Sequence, residues 1–239
     1  MAIKINTDVE RPSDEVVEGF RKLLEEYHEI TPGISDVSNR LNAMHSDIKP
    51  LFEGIRVVGV ALTIRTMPSD NTAVLRVLEV VQKDDMIVVD TNKSNSLGFW
   101  GGTICHEVQQ VGAAGIVLDG AIRDVAELRR LRFPVLCTGI VPNAPGKGGF
   151  GTINYPIQCG GVVVHPGDIV IIDENGVVVV PRDEAEDVLQ KTTRFLDNEA
   201  RMIALVKAGG SIRDIFGLAK VETVDNVMLY ERMRQAGTI

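Results

Sequence analysis

The chain has 239 residues, of which 44% are hydrophobic, and it carries a formal net charge of −8. An acidic chain offers no basic surface for nucleic acid or anionic lipid, so the composition argues against both classes of partner. The first ten residues contain no apolar signal core, and no apolar run approaches the roughly 18 residues of a membrane-spanning helix. We therefore expect a cytoplasmic protein that forms one domain over residues 1–239.

The predicted elements begin with a helix and then alternate between strands and helices. Ser13 is a candidate N-cap for the first helix, which carries apolar residues at helical spacing from Val16 to Tyr27. Residues 31–45 are interpreted as a turn that leads into a second helix. The elements that follow are a strand at 55–66, a helix at 71–82, a strand at 86–90, a helix at 103–111, a strand at 115–120, a helix at 124–131 and a strand at 134–139. This order is typical of a parallel or mixed sheet that is covered on both faces.

The last third of the chain changes from strands to a helix. A β-meander with two tight turns is predicted for residues 160–181. A long helix follows, with Asp183 as its predicted cap and Glu186 three residues later as in a capping box. The helix is predicted to end at Gly209-Gly210.

Several common catalytic motifs are absent from the chain. It has no GxGxxG loop directly after a strand, no GxxxxGK[ST] loop, no HExxH zinc motif and no GxSxG nucleophile elbow. Cys105, Cys137 and Cys159 are odd in number and far apart, which suits neither a disulfide framework nor a metal site. We interpret them as buried free thiols.

Two segments near the middle of the chain are candidates for chemistry. LGFWGG, residues 97–102, surrounds the only tryptophan with glycines before a predicted helix, where unpaired backbone N–H groups would bind a carboxylate or phosphate. A simple tight turn explains the same segment equally well. Asp119, Arg123 and Asp124 stand at the exit of a predicted strand, where a guanidinium can stabilise an oxyanion and a carboxylate can hold Mg²⁺. The alternative is that Asp124 caps the next helix and pairs with a neighbouring arginine.

A third candidate is MPSDNTA, residues 67–73, which lies between a predicted strand and a predicted helix. Parallel sheets present ligand-binding residues at such strand ends. Ser69, Asp70 or Asn71 could face a ligand here, but the residue types favour capping of the helix.

The order of these motifs resembles the RraA-like superfamily. The matching segments are SDN at 69–71, DDMIVVD at 84–90, GFWGG at 98–102, GAAGIVLDGAIRDVAEL at 112–128, PV at 134–135, CGGVVVHPGDIVIIDENGVVVVP at 159–181 and a closing helix that bears a glutamate. Twenty residues separate Gly102 from Arg123. Asp124 follows directly, Glu127 stands three positions later, and this spacing marks the aldolase branch. Within the superfamily the chain is most similar to the 4-hydroxy-4-methyl-2-oxoglutarate / 4-carboxy-4-hydroxy-2-oxoadipate aldolases, over roughly residues 31–217.

The resemblance implies a fold, an activity and an assembly. The implied fold is an α/β fold, an α-β-β-α sandwich with a mixed sheet like the swivelling domain of phosphohistidine proteins, with N-terminal helices and a C-terminal helical extension. The implied activity is Mg²⁺- or Mn²⁺-dependent cleavage of a 4-hydroxy-2-oxo di- or tricarboxylic acid to pyruvate and an oxo acid, in aromatic-compound catabolism. Oxaloacetate decarboxylation would pass through the same enolate. The implied assembly is a homotrimer or homohexamer with active sites between protomers.

The resemblance also implies roles for particular residues. Asp124 and waters would hold the metal, and Arg123 would contact the pyruvyl carbonyl oxygen and stabilise the enolate. Asn71 would lie close to the substrate, and Glu199 would reach across a subunit boundary to a metal-bound water. The backbone amides that would bind the pyruvate carboxylate are those of Gly98, Phe99, Trp100 and Gly101.

One position departs from the family pattern. Where the family often has an acidic residue directly after the glycine turn, this chain has Gly102. We advance the hypothesis that His106 or Glu107, about one helical turn further on, takes over the role of that residue. The alternative is that the two form an outward-facing polar pair.

Two other functions remain open at this point. The superfamily includes regulators that bind and inhibit a ribonuclease, and these retain similar glycine and arginine-aspartate residues. The glycine at position 102 also leaves room for a lyase of the same branch that acts on a different oxo acid. The C-terminal extension that bears Glu199 favours the aldolase branch, because the regulators are shorter.

Overall fold

The protein is described by a computed structural model that covers residues 2–221 and 226–237. The chain divides into two compact units, Met1–Leu196 and Asp197–Ile239. The second unit begins within a long helix and continues through further helices. It corresponds to the segment predicted as a C-terminal helical extension, while the single-domain organisation stays a prediction.

The described residues form eleven strands, eight α-helices and two short 3₁₀ helices. The strands are β1 (Lys4–Ile5), β2 (Lys49–Pro50), β3 (Val57–Thr66), β4 (Asp85–Trp100), β5 (Gly115–Ile122), β6 (Val135–Ile140), β7 (Gly151–Ile153), β8 (Ile157–Cys159), β9 (Val162–Val164), β10 (Ile169–Asp173) and β11 (Gly176–Val180). The α-helices are α1 (Asp14–Tyr27), α2 (Thr31–Val37), α3 (Thr72–Leu75), α4 (Gly102–Val111), α5 (Val125–Leu131), α6 (Ala185–Lys207), α7 (Ile212–Ile215) and α8 (Asn226–Gln235). The 3₁₀ helices are Arg76–Glu79 and Arg182–Glu184. Among the described residues, no helix has both the length and the apolar character needed to cross a membrane.

The main sheet is mixed. Its strand order is β1-β7-β3-β4-β5-β6-β2, and β10 pairs with both β3 and β11. The central strands β3, β4, β5 and β6 are parallel, whereas β7 and β10 run antiparallel to β3. The carboxyl ends of β4 and β5 therefore meet at one edge of the sheet, which is where such sheets bind ligands.

Three hydrophobic cores define the layers of the first unit. One core lies between helices α3, α4 and α5 and one face of β3 to β6. A second lies between the opposite face of these strands and β8 to β11, and a third between β10 and β11 and the helices α1, α2 and the first half of α6. The layers run helix, sheet, sheet, helix, so the predicted α-β-β-α sandwich with a mixed sheet is confirmed.

Most predicted elements are confirmed, with four corrections. The strand predicted for residues 86–90 extends much further, as β4 (Asp85–Trp100). The predicted turn before a second helix is wrong, because α2 begins at Thr31 and ends at Val37. The helix predicted for residues 71–82 is only one turn of α-helix followed by a 3₁₀ turn. Asp183 does not cap α6, because it lies inside the 3₁₀ helix that precedes it. Ser13, in contrast, is the N-cap of α1 and accepts a hydrogen bond from the amide of Val16.

The start of α2 is held by a carboxylate that is distant in sequence. The Asp173 side chain is buried and accepts hydrogen bonds from the amides of Ile30 and Thr31, both at 2.8 Å, and from the Thr31 hydroxyl at 2.7 Å. It also accepts from the amide of Asn175 at 2.9 Å. This carboxylate therefore joins α2 to the β10–β11 turn.

Replacing Asp173 by alanine is expected to lower the free energy of unfolding by about 3 kcal/mol, because buried donors lose their acceptor. Urea unfolding, followed by the fluorescence of the buried Trp100, measures the change. The same substitution at the exposed Asp47 is the control and should change the free energy by less than about 0.5 kcal/mol. An equal effect of the two variants would contradict this role of Asp173.

Candidate functional site

A cleft of about 200 Å³ opens where β4 and β5 end. Its lining residues are Asn71, Leu75, Leu78, Gly98, Phe99, Trp100, Gly101, Thr103, Ile104, Glu107, Arg123, Asp124 and Lys147. Seven of the eight residues predicted for the site are in this set. The eighth, Glu199, lies on the part of α6 that belongs to the second unit, where its side chain is exposed, and its role stays a prediction.

Asp124 connects the end of β5 to the start of α4. It occupies the N-cap position of α5 in the left-handed conformation, with φ 59° and ψ 37°, but its side chain makes no capping hydrogen bond to that helix. Its Oδ2 atom instead accepts a hydrogen bond from the amide of Gly102 at 3.1 Å. The capping alternative is therefore not observed for this side chain. Sparsely populated backbone conformations of this kind are frequent at functional sites.

The glycines of the turn allow the two chain segments to approach closely. A Cβ atom on Gly98 would lie 3.0 Å from the Cβ atom of Arg123, and one on Gly101 would overlap the carboxylate of Asp124. A Cβ atom on Gly102 would lie 2.9 Å from the Cγ atom of Glu127. A side chain at position 102 would therefore require the side chain of Glu127 to move.

The backbone amides of the turn are not equivalent. The amide of Gly98 donates to the carbonyl oxygen of Asn143 at 2.8 Å, and that of Gly102 donates to Asp124. Within the described part of the chain, the amide of Gly101 has no hydrogen-bond acceptor. Gly101 is also the N-cap of α4, and the positive end of the helix dipole lies here. Of the amides predicted to bind a carboxylate, that of Gly101 is therefore available, whereas that of Gly98 is not.

Two polar side chains in the cleft retain capacity for a ligand. The Arg123 side chain is 42% exposed, and its Nε atom is 3.9 Å from Asp124 Oδ2, which is a loose pair. Asn71 donates from Nδ2 to the Phe99 carbonyl oxygen at 3.4 Å, while its buried Oδ1 atom has no donor among the described residues. Arg123 can therefore turn toward a bound anion without loss of a strong internal contact.

His106 and Glu107 lie in different surroundings. His106 Nε2 is 2.6 Å from Glu127 Oε1, and Arg130 also binds Glu127. The hydrogen bonds from Arg130 and then from His106 lower the pKa of Glu127 to about 2. Glu107 lines the cleft, whereas His106 does not. Of the two residues in the hypothesis, Glu107 alone lines the cleft, and its role stays a prediction.

Other polar groups singled out by the sequence are structural. Asp119 is buried, and its Oδ2 atom accepts a hydrogen bond from the amide of Gly160 at 3.1 Å. The three cysteines are buried free thiols, as predicted. Burial raises the pKa of Cys105 and of Cys137 to about 11, so neither is a thiolate at neutral pH.

Asp124 fits the requirements of a hard divalent cation. Its side chain is 45% exposed, and within the described ranges the hydrogen bond to its carboxylate is on Oδ2, which leaves Oδ1 available. Over residues 2–221 and 226–237, no group of three or more His, Cys, Asp or Glu side chains could hold a metal ion. Mg²⁺ commonly binds through one or two carboxylates and keeps several waters, so a single carboxylate suffices.

Sequence reasoning missed Lys147 and several apolar residues of the cleft. Lys147 comes from the loop between β6 and β7 and reaches the cleft through contacts that are distant in sequence. The signal available was a cation inside a glycine-rich stretch, APGKGGF at residues 144–150. A glycine-rich loop alone does not reveal which site it approaches.

Comparison with known proteins identifies the family. The family model RraA-like, described as Aldolase/RraA, matches residues 31–179, and the chain therefore belongs to this family. The chain is 40% identical over 176 residues to a Halalkalibacterium halodurans protein named "Putative 4-hydroxy-4-methyl-2-oxoglutarate aldolase", a match that covers 73% of this chain and 84% of the relative. It is 30% identical over 151 residues to a Thermus thermophilus protein named "4-hydroxy-4-methyl-2-oxoglutarate aldolase", covering 63% of this chain and 92% of the relative.

A solved structure extends the likeness to the regulators. The structure of Streptomyces coelicolor RraAS2, described as an unusual member of the RNase ES inhibitor RraA protein family, has a TM-score of 0.70 with this chain and is 29% identical. The alignment covers 82% of this chain and 98% of RraAS2. The family therefore contains proteins named as aldolases and proteins named as ribonuclease inhibitors.

Proposed function

We propose that the chain is a divalent-metal-dependent aldolase that cleaves a 4-hydroxy-2-oxo di- or tricarboxylic acid to pyruvate and an oxo acid, with oxaloacetate decarboxylation as a side activity. The observation that carries this proposal is the cleft in which Arg123 and Asp124 face the glycine turn at the start of α4. Relatives named as 4-hydroxy-4-methyl-2-oxoglutarate aldolases support it.

The cleavage can be assigned to groups of this chain. Retro-aldol cleavage removes the proton of the 4-hydroxyl group and leaves negative charge on the carbonyl oxygen of the pyruvyl half. Mg²⁺ or Mn²⁺, held by Asp124, would supply Lewis-acid polarisation of that half. Arg123 presents a fixed positive charge where the oxyanion develops. The unpaired amide of Gly101 at the start of α4 would orient the substrate carboxylate, and Asn71 lies on the wall of the same cleft.

We propose that Glu107 relays the proton of the 4-hydroxyl group, in place of the acidic residue that is absent at position 102. Replacing Glu107 by glutamine is therefore expected to lower kcat about 100-fold, a typical contribution of general acid–base catalysis. Replacing His106 by alanine should leave kcat unchanged, because His106 contacts Glu127 outside the cleft. Steady-state pyruvate release measures both variants. If His106→Ala loses activity and Glu107→Gln does not, the assignment is reversed.

A homo-oligomer is part of the proposal. The second unit exposes large apolar side chains, and monomeric proteins rarely expose large apolar patches. They are Ile203, Leu205, Val206, Ile212, Phe216, Leu218, Val221, Met228 and Tyr230. Association of copies through this unit would bury them, and it would allow Glu199 of the partner subunit to reach a metal site as the family resemblance implies.

The experiment that tests the proposal is pyruvate release, coupled to lactate dehydrogenase, from 4-hydroxy-4-methyl-2-oxoglutarate and from oxaloacetate, with Mg²⁺ and with EDTA. We expect turnover of both substrates that EDTA abolishes. Turnover of oxaloacetate alone would favour a lyase of this branch with another oxo acid as substrate, consistent with Gly102. Absence of turnover with either substrate would contradict the aldolase proposal.

A ribonuclease regulator is the second candidate, and the similarity to RraAS2 favours it. Such a protein would bind an RNA-degrading enzyme through its surface and would need no metal. Inhibition of RNase ES by the metal-free chain, unchanged by Arg123→Ala, would support it. Metal-dependent turnover that this substitution removes would support the aldolase instead.

A further inference from the structure

Lys147 reaches the cleft on a glycine-rich loop whose conformation depends on contacts with other parts of the chain. Residues 141–150 connect β6 to β7, and Lys147 lies between Gly146 and Gly148, with Gly149 next. Glycine has the widest backbone freedom of any residue, so a GKGG segment is disordered unless other parts of the chain bind it. Gly148 adopts a φ of +104°, which other residues rarely adopt.

The segment that binds this loop is Ser69 to Thr72. The amide of Gly146 donates to the Ser69 carbonyl oxygen at 2.8 Å, and the Gly146 carbonyl oxygen accepts from the amide of Asn71 at 3.2 Å. The amide of Gly148 donates to the Thr72 hydroxyl oxygen at 2.7 Å. Both residues that flank Lys147 are therefore hydrogen-bonded to one short segment.

The carboxylate of Asp70 is central to this contact. It is buried, with 6% relative exposure, and its Oδ2 atom accepts from the amide of Gly149 at 2.9 Å. Its Oδ1 atom accepts from the amide of Thr72 at 2.7 Å, so the two oxygens join the loop to the start of α3. A Cβ atom on Gly149 would lie 2.5 Å from Asp70 Cγ, so the Asp70 side chain leaves no room for a side chain at position 149. Burial raises the pKa of Asp70, but the hydrogen bonds from Thr72 and Gly149 outweigh it and the net pKa is lowered, so the carboxylate stays charged.

Lys147 has a distinct electrostatic role available in the cleft. Four charged residues line it, namely Glu107, Arg123, Asp124 and Lys147. The proposed function uses Arg123 at the oxyanion and Asp124 at the cation. Lys147 is then the lining cation without an assigned partner, and a substrate with a second carboxylate carries a charge that it can bind.

We propose that Asp70 is a positioning residue that holds the loop so that Lys147 binds the second carboxylate of the substrate. This inference rests on the proposed aldolase function and assigns recognition of the second carboxylate of its di- or tricarboxylic substrate to Lys147. Asp70 does not touch the substrate in this scheme. It acts through Lys147, and its loss should weaken recognition of the second carboxylate more than it slows the chemistry.

The test compares Asp70→Asn, Lys147→Ala, the double variant and the control Asp47→Asn, which makes the same change on an exposed residue. Asparagine has one acceptor oxygen and one donor nitrogen, so it cannot accept from both amides. Asp70→Asn is expected to raise KM for 4-hydroxy-4-methyl-2-oxoglutarate about tenfold, the effect of one lost charge contact, with kcat changed less than threefold. KM for 4-hydroxy-2-oxopentanoate, which has a single carboxylate, should not change.

The double variant shows whether Asp70 acts through Lys147. We expect it to have the same KM as Lys147→Ala, because removal of the lysine makes its position irrelevant. Additive effects on KM, or an equal loss with the monocarboxylate, would overturn the proposal. Asp47→Asn should behave as the unmodified chain in every assay.

Hydrogen exchange of the loop amides separates failure of this inference from failure of the proposed function. The amides of Gly146, Gly148 and Gly149 should exchange faster in Asp70→Asn than in the unmodified chain, whatever the substrate is. Unchanged exchange would overturn the positioning role even if the aldolase reaction is present. Faster exchange in a chain without pyruvate-releasing activity would support the positioning of the loop and contradict the aldolase function.

Discussion

Replacing Arg123 by lysine is expected to lower kcat/KM for pyruvate release by about 10²–10³-fold, the usual effect of removing one donor to an oxyanion. Lysine keeps the charge but loses the planar fork that donates two hydrogen bonds in a fixed direction. Among the residues that the structure describes, the guanidinium of Arg123 pairs only with Asp124, loosely at 3.9 Å, so we do not expect the fold to depend on it. The loss should therefore appear in turnover and not in the unfolding midpoint.

The matched control for this prediction is Arg194→Lys, an exposed position on α6. It should retain full activity, because Arg194 is not part of the cleft. Oxaloacetate decarboxylation by Arg123→Lys should fall by a factor similar to that for aldol cleavage, since both reactions place charge on the same oxygen. Activity of Arg123→Lys within threefold of the unmodified chain would exclude Arg123 from the chemistry.

Replacing Asp124 by asparagine is expected to raise the Mg²⁺ concentration for half-maximal activity about 100-fold or more, because even changes beyond the direct ligands cost 10–100-fold. Asparagine tolerates the left-handed backbone conformation that Asp124 adopts, and its amide oxygen can still accept from Gly102. The variant therefore removes the negative charge and leaves the local structure in place. Titration of activity with Mg²⁺ and with Mn²⁺ measures the effect.

A direct binding readout complements the kinetics of Asp124→Asn. Mn²⁺ binding to the unmodified chain, followed by electron paramagnetic resonance, should be lost or greatly weakened in the variant. Asp47→Asn removes the same negative charge from an exposed position outside the cleft, and it should bind Mn²⁺ as the unmodified chain does. Equal Mn²⁺ affinity in all three proteins would mean that the cation binds elsewhere or not at all.

The sequence predicted the central sheet well because its strands are buried on both faces. The sequences of such strands are continuous apolar runs. The runs in this chain predicted β3 and β5 where the structure has them. The exit of β5 carries Arg123 and Asp124, and strand exits of parallel sheets are where ligands bind. Family resemblance then supplied the specific roles that residue types could not.

Two of the errors came from contacts between residues that are distant in sequence. No local residue caps α2; the carboxylate at its start is Asp173, 142 residues beyond Thr31. The extension of β4 beyond Asp90 was missed because the polar stretch TNKSNS has no strand periodicity. Lys147 was missed because its loop is positioned by hydrogen bonds to residues 69–72, which are distant in sequence.

The pairing of β4 with β5 has a consequence for how related chains vary in length. From Asp90 to Trp100, β4 advances ten residues while β5 advances only from Asp119 to Ile122, with shifts of register on the way. The pairing is regular up to Asp90, and beyond it β4 meets β5 only at Ser94, Gly98 and Trp100, with a shift of register before each of these pairs. Insertions and deletions among relatives should therefore concentrate between residues 91 and 97, and the glycine turn should keep its place against β5 when they occur.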